Sequence, residues 1–359
     1  MKKIRVGVLF GGKSAEHEVS LLSADHVVAA LDKDKYEVVL IGIDKSGKWR
    51  LCDSEQFLID RNNPRKVQLQ STSQEMVLVP EDNASLVSLN EKTSIPFDVI
   101  FPVLHGTNGE DGTMQGLLKL ANIPFVGAGV LGSAVGMDKE VMKRLLKEAG
   151  VAIARFICLR KGDTCSFEEI SQQLGLPFFI KPANAGSSVG VHKVKNASEF
   201  DGAIRDAFKY DRKILCEEFI RGMEVECAVI GNENPIASIP GEVILGDHEF
   251  HTYAAKYYED GVHFRIPPNL SQELIREVQE ISIKAYKALY CEGGARVDLF
   301  LKDNLVPVVN EINTIPGFTR TSAFPKLWEQ SGIPFAEVVD RLIEYAMERF
   351  KKDQDLQFS

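Results

Sequence analysis

The stretch Gly294–Gly317 reads GARVDLFLKDNLVPVVNEINTIPG. Two apolar runs flank Lys302-Asp303-Asn304, which predicts two antiparallel strands joined by a tight turn. Side chains alternate faces along a strand, so Arg296 and Asp298 share one face, and Glu311 and Asn313 share the matching face of the partner. Two carboxylates, a carboxamide and a guanidinium therefore converge. Such hard oxygen donors suit Mg²⁺, which keeps waters and takes further ligands from substrate phosphates. A solvated hairpin face with ordinary charges is the competing reading. Ile315-Pro316-Gly317 and the aromatic, Thr/Ser-rich segment after it exceed what a turn needs, and they favour a nucleotide-metal site.

A chain of 359 residues is too long for one core, so two or three domains are expected. Apolar content of 44% and charged content of 26% describe an ordinary soluble protein. A net charge of −9 argues against a general nucleic-acid binder. The first apolar run, Val6 to Phe10, is broken by Gly11-Gly12-Lys13 and is too short for a signal peptide or membrane span, so a cytoplasmic protein is expected. None of the six cysteines forms a C-x-x-C pair, and four lie in apolar runs, which reads as reduced structural thiols.

Ile4 to Phe10 reads as a buried strand and Val19 to Leu31 as a helix with Val19, Leu22, Val27 and Leu31 on one side. GVLFGGKS, residues 7 to 14, matches the Walker A spacing, but Val8-Leu9-Phe10 lie in the strand and cannot cradle phosphate. No G-x-G-x-x-G opens this unit. Glu16 and Glu18 stand at the helix start, where the dipole favours acids. A strand Tyr36–Ile43 follows, then a polar stretch from Cys52 to Pro96 that reads as an insertion without chemistry. Asp98–Leu104 is a further strand whose carboxyl end delivers His105-Gly106, the ligand end of an open α/β sheet. A helix Met114–Ala121 and a strand Phe125–Gly127 complete a first α/β domain.

Asp138–Ala149 reads as a helix with Lys139 near its start, against the macrodipole and sensible beside a phosphate. Pro177–Lys181 is a strand, and the Gly186-Ser187-Ser188-Val189-Gly190 loop leads to a second strand, Val191–Val194. A glycine-serine loop between strands suits a flap of N–H groups over phosphate, with Lys181 as a point charge. Ile214–Ile220, ending in Glu217 and Glu218, offers a wall and hydrogen-bond partners for a flat adenine, and Glu224 in the next strand could take ribose hydroxyls. Residues 247–262, DHEFHTYAAKYYEDGV, have no clear period and read as a lid. Amphipathic helices over Leu274–Leu289 and Phe335–Met347 are core.

In order, GGKSAEHEVS, HGTNGEDG, MDK, FIKPANAGSSVGV, EEFIRGMEVE, KYY, GGARVDLF and NEINTIPGFT resemble the D-alanine–D-alanine ligase family of the ATP-grasp superfamily. The resemblance covers nearly the whole chain except residues 52 to 96. It implies an α/β (α+β) ATP-grasp fold in three domains, 1–127, 128–217 and 218–359, with ATP between two antiparallel sheets. Lys139 and Lys181 would hold phosphates, with Gly186, Ser187, Ser188 and Val189 over them. Glu217, Glu218, Phe219, Ile220 and Glu224 would bind adenosine. Asp298, Glu311 and Asn313 would hold two Mg²⁺ (or Mn²⁺) ions, with K⁺ an optional activator. Glu16 would bind the ammonium of the first D-alanine, His105 would lie near the transferred phosphate, and Arg296 with the Gly317 N–H would stabilise the tetrahedral intermediate. Ser322 would take the second carboxylate, beside Ala323, where the family usually has a larger apolar residue. Lys256 and Tyr257 would come from the lid, with Tyr257, Ser187 and Glu16 bonded to one another. A homodimer acting in peptidoglycan precursor synthesis is the implied setting.

A D-alanine–D-lactate ligase or another ATP-grasp carboxylate–amine ligase is the nearest rival, and Tyr257 speaks against the ester-forming one. A nicotinamide-dependent oxidoreductase would need a fingerprint absent here. A catalytically dead ATP sensor would be expected to lose a metal ligand, and all three are present.

Overall fold

The computed structural model describes residues 2–53, 56–70, 74–79, 85–88, 94–244 and 263–357. The opening strand Ile4–Gly11 runs parallel to Tyr36–Ile43 on one side and Val99–Val103 on the other, with Trp49–Cys52 added antiparallel at the edge. Alternation along this strand feeds two cores. Val6, Val8 and Phe10 pack with Leu21, Ala24 and Val27 of the helix His17–Ala30, whereas Leu9 packs with Met114 and Leu118 of the helix Thr113–Leu120. Leu22, expected on the buried side, is only partly buried. The strand expected at Phe125–Gly127 is a single parallel bridge, Ile100 to Phe125. Pro124 has no N–H to extend the ladder, and Gly127 turns the chain at φ +94.

The stretch after Cys52 holds short ladders: Leu58–Ile59 with Gln68–Leu69, and Met76–Val79, Ser85–Ser88 and Ser94–Pro96 in a small sheet. None of these strands lines the cleft described below.

A second sheet is antiparallel throughout, in the order Phe156–Arg160, Lys213–Glu218, Phe178–Pro182, His192–Val194. Helices Phe167–Leu174 and Ala197–Ala207 bury their apolar sides against it. The first of these starts at a capping box in which Ser166 and Glu169 satisfy each other's backbone N–H groups.

The third sheet is six-stranded and contains the Gly294–Lys302 and Val306–Asn313 hairpin beside Gly222–Ile230. Asp303 and Asn304, both with positive φ, close the hairpin, a conformation these residues tolerate well. Alternation again divides the sides. Val225, Cys227 and Val229 pack with helix Gln272–Ala288, while Ala228 and Ile230 face helices Ala323–Gln330 and Phe335–Gln354. Those last two helices share their core with the first sheet. Among the described residues no helix is long and apolar enough to cross a membrane. All six cysteines are unbridged, with Cys52, Cys216, Cys227 and Cys291 buried.

Candidate active site

The hairpin register sets Arg296 opposite Asn313 and Asp298 opposite Glu311. A bulge between Asp298 and Leu299 leaves Asn310 as the extra residue, a device that re-aims side chains beside a site. Arg296 grips Asp298 through two bonds of 2.6 and 2.7 Å, and Glu226, opposite Asp298 on the other flanking strand, lies 3.1 Å from the same guanidinium. All three are almost fully buried. The Asn313 amide donates to Asp298 at 3.0 Å, and Lys139 lies 3.2 Å from Glu311. Each carboxylate of the expected metal pair therefore already faces a cationic side chain. Two carboxylates and a carboxamide at adjoining register positions fit a hard divalent ion. Among the described residues no group of three or more His, Cys, Asp or Glu side chains is placed to hold a metal ion, so the third donor at this site is the Asn313 carboxamide.

Lys139 begins the helix Lys139–Glu148, and Asp138 caps it by accepting from Glu140 and Val141 at 3.1 Å each. Lys213 neutralises both acids at this end, 2.6 Å from Asp138 and 2.9 Å from Glu140. The Lys139 ammonium is thus free of them, and it donates to the Ala185 carbonyl at 2.9 Å.

The Gly186–Gly190 loop joins antiparallel strands, as expected, with Ser187 and Ser188 both at positive φ. Its Ser187 hydroxyl donates to Glu16. Glu16 stands at the start of its helix without capping it, so the carboxylate is turned into the cleft. Close approach of the His105-Gly106 turn requires glycine there: a Cβ on Gly106 would sit 2.7 Å from Glu16 Oε2. Glu16, His105, Lys139 and Ser187 line one cleft with Arg296, Glu311, Asn313 and Gly317. Four separate stretches of sequence thus meet the hairpin there. Lys256 and Tyr257 lie outside the described residues.

Lys181 and Glu217 lie deeper. Lys181 is 3.0 Å from Glu217 and donates to the bulged Asn310 at 3.3 Å, while the fully buried Lys143 is 2.8 Å from the other Glu217 oxygen. Burial alone would raise the Glu217 carboxyl, yet Lys143 and Lys181 together hold it below the usual range. The Glu218 side chain is turned to Arg155, bonding its N–H and guanidinium at 2.8 and 2.6 Å. Phe219 is part-exposed with Lys193 over its ring, and Ile220 packs with Ala154, Val308 and Phe300. Glu224, two residues before Glu226, sits opposite Phe300.

Ser322 immediately precedes helix Ala323–Gln330 without its side chain capping it, and its hydroxyl shares a 2.7 Å bond with Thr319. A Cβ on Gly317 would lie 2.7 Å from its hydroxyl, so the two are neighbours. Ala323, by contrast, is buried in the core and does not line the cleft.

His105 has both ring nitrogens engaged, one at 3.0 Å from Ser23 and the other at 3.0 Å from the Ile315 carbonyl. Glu110 was not singled out by sequence although it lies in the HGTNGEDG segment. It lines the cleft and accepts from Gly106 N–H at 3.0 Å. Burial pushes its carboxyl up, and the nearby Glu16 adds to the rise, against the His105 hydrogen bond and charge and the Gly106 N–H. Lys143 and Glu226 were also missed, though Lys143 is one turn from Lys139 and Glu226 shares a strand face with Glu224.

Comparison with known proteins matches two family models, "D-ala D-ala ligase N-terminus" over residues 5–128 and "D-ala D-ala ligase C-terminus" over residues 145–344. The chain belongs to the D-alanine–D-alanine ligase family. This ligase is 52% identical to a D-alanine–D-alanine ligase of Oceanobacillus iheyensis, covering 100% of this chain and 99% of that one. It is 47% identical to D-alanine–D-alanine ligase A of Escherichia coli, over 99% of each chain. Among solved structures, the ligase resembles the D-alanine–D-alanine ligase of Coxiella burnetii at a TM-score of 0.86 and 36% identity, covering 99% of this chain and 97% of that one. It also resembles a D-Ala:D-Ser ligase of Enterococcus faecalis at 0.83 and 34%, covering 96% and 100%. The ATP-grasp fold expected from sequence is the fold of this family.

Proposed function

We propose that this ligase joins two D-alanine molecules at the expense of ATP, releasing ADP and phosphate and supplying peptidoglycan precursor synthesis. The observation that carries this reading is the one cleft in which the Glu16 carboxylate, held by Ser187, shares the lining with Arg296, Lys139 and Gly317. Joining a carboxylate to an amine in water is uphill, so the carboxylate is first phosphorylated. Glu16 binds the ammonium of the first D-alanine, and Ser187 holds Glu16 in place. Lys139 and Lys181 offset charge on the phosphates under the Gly186–Gly190 loop. Glu217 to Ile220, with Glu224, form the adenosine wall. Asp298, Glu311 and Asn313 would hold divalent ions, with Mg²⁺ or Mn²⁺ as the fitting species and K⁺ as an optional activator, and these would supply neutralisation of the charge on the transferred phosphate.

The amine of the second D-alanine, its carboxylate at Ser322, then attacks the acyl phosphate carbon. Charge develops on the carbonyl oxygen, and Arg296 with the Gly317 N–H stabilises it before phosphate leaves. Lys256 and Tyr257 close the site from the lid. Sheets in three successive ranges support domains 1–127, 128–217 and 218–359. Unbridged thiols agree with a cytoplasmic setting, and the exposed Leu120 and Leu131 on adjacent helices agree with a homodimer.

Phosphate release with ATP and D-alanine, L-alanine, D-serine or D-lactate, with chromatography of the products, tests the reading. D-alanyl-D-alanine should be the main product from D-alanine. Preferred turnover of D-serine or D-lactate as second substrate would overturn the assignment of substrate.

A further inference from the structure

The residues that follow the Val306–Asn313 strand leave the sheet, so no ladder fixes the backbone at Ile315–Phe318. Pro316 has no N–H, which leaves two donors in Pro316–Phe318. Phe318 N–H donates to Ser23 Oγ at 3.2 Å. Gly317 N–H, at the cleft wall, donates to no protein acceptor among the described residues. The groups around it are all held from the first α/β unit. His105 Nδ1–H donates to the Ile315 carbonyl at 3.0 Å, and its Nε2 accepts from Ser23 at 3.0 Å. His26 Nδ1–H donates to the Phe318 carbonyl at 2.7 Å. The His26 ring stacks on Phe335, centroids 4.4 Å apart and planes 18° apart, so its own aim is fixed. Burial lowers the affinity of His26 for a second proton, in keeping with a neutral ring.

We propose that Ser23 and His26 are positioning residues that hold the Gly317 amide ready for the charge developing in the bond-forming step, an inference that rests on the proposed function. A donor stabilises a transition state only if it is already in place when the charge appears, and precision comes from the groups that hold it. Ser23 and His26 are three residues apart on one side of helix His17–Ala30, and Glu16 immediately precedes that helix. One rigid element therefore sets the distance between the carboxylate that takes the first ammonium and the amide that meets the oxyanion. The contact is also made across the fold, between residues 292 apart in sequence for His26 and Phe318.

Two substitutions separate donor from ring. His26→Phe keeps the stack on Phe335 and deletes the donor, whereas His26→Asn keeps a nitrogen near the Nδ1 position and deletes the ring. The expected result is that His26→Phe lowers kcat by roughly threefold to tenfold with KM for ATP unchanged, the size of one lost hydrogen bond. His26→Asn should recover most of kcat even where its Tm falls. Ser23→Ala should lower kcat in the same way and guards against a misfolded His26 variant. Wild-type kcat in His26→Phe, or equal loss in His26→Phe and His26→Asn, would overturn the proposal. The wild-type enzyme is assayed alongside with ATP and D-alanine. Absence of dipeptide there would sink the ligase reading itself, whereas dipeptide with an unaffected His26→Phe would sink only the positioning role.

Discussion

Glu217 lies between two lysines in a place with almost no water, and the three side chains depend on one another. Replacing Lys143 by Met keeps the length of the side chain but leaves one buried Glu217 oxygen facing nothing. Breaking a buried pair from one side costs about 3–5 kcal/mol, so Lys143→Met should lower the urea midpoint sharply and raise KM for ATP, since Lys181 is then drawn more firmly to Glu217. An unchanged midpoint would mean that the buried charge carries little stability. The same carboxylate predicts a pH effect. Its folded pKa is below the ordinary glutamate value of about 4.5, so its contribution is present above that value and is lost as pH falls through the lower folded value. Unfolding free energy measured from pH 7 downward should therefore drop below about 4.5, and Glu217→Gln should flatten that drop. An identical slope in both proteins would assign acid unfolding to other carboxylates.

The hairpin was legible as an element because its signals agreed: alternating faces, an Asp-Asn turn and charged residues at matched positions. Its register followed from the same alternation, and Arg296, Asp298, Glu311 and Asn313 meet as expected. What alternation could not reveal is the bulge, which breaks the period once and delivers Asn310 to Lys181. Glu226 stayed hidden for a related reason, because alternation places it on the Glu224 face without naming a neighbour, and only pairing with Gly294–Lys302 brings it to Arg296. The Phe125–Gly127 segment failed in the opposite sense, apolar enough for a strand but flanked by proline and a left-handed glycine. At this scale Glu311→Gln is the informative change. A neutral amide at this position lacks the charge and the second oxygen with which a carboxylate can serve two divalent ions, so activity should fall roughly 100-fold or more in saturating Mg²⁺ while Tm without nucleotide stays close to wild type. Full activity at saturating Mg²⁺ would remove Glu311 from the metal site.

Across the whole molecule, the first sheet and the last helices behave as one body. Tyr36 donates to Asp340, Lys35 pairs with Asp340 at 2.6 Å, and Arg349 donates to the Phe125 and Gly127 carbonyls at 2.7 and 2.6 Å. Tyr36→Phe should cost about 1–2 kcal/mol, less than a fully buried bond to a charge because Asp340 is partly exposed, and chemical denaturation would measure it. No loss of stability would make this tie incidental. The apolar core beneath these ties joins Phe101 and Val6 to Phe318, Phe324 and Leu342. During synthesis the opening strands therefore emerge long before the helix that covers one of their faces. Until Phe335–Gln354 leaves the ribosome, that apolar face is covered only by helix His17–Ala30, and the part left open must be shielded by transient collapse or by a chaperone. The opening strands are thus completed by a helix more than 200 residues later, and any message cut short of the codons for Phe335–Gln354 yields a chain whose first sheet lacks part of its cover, however intact its own sequence.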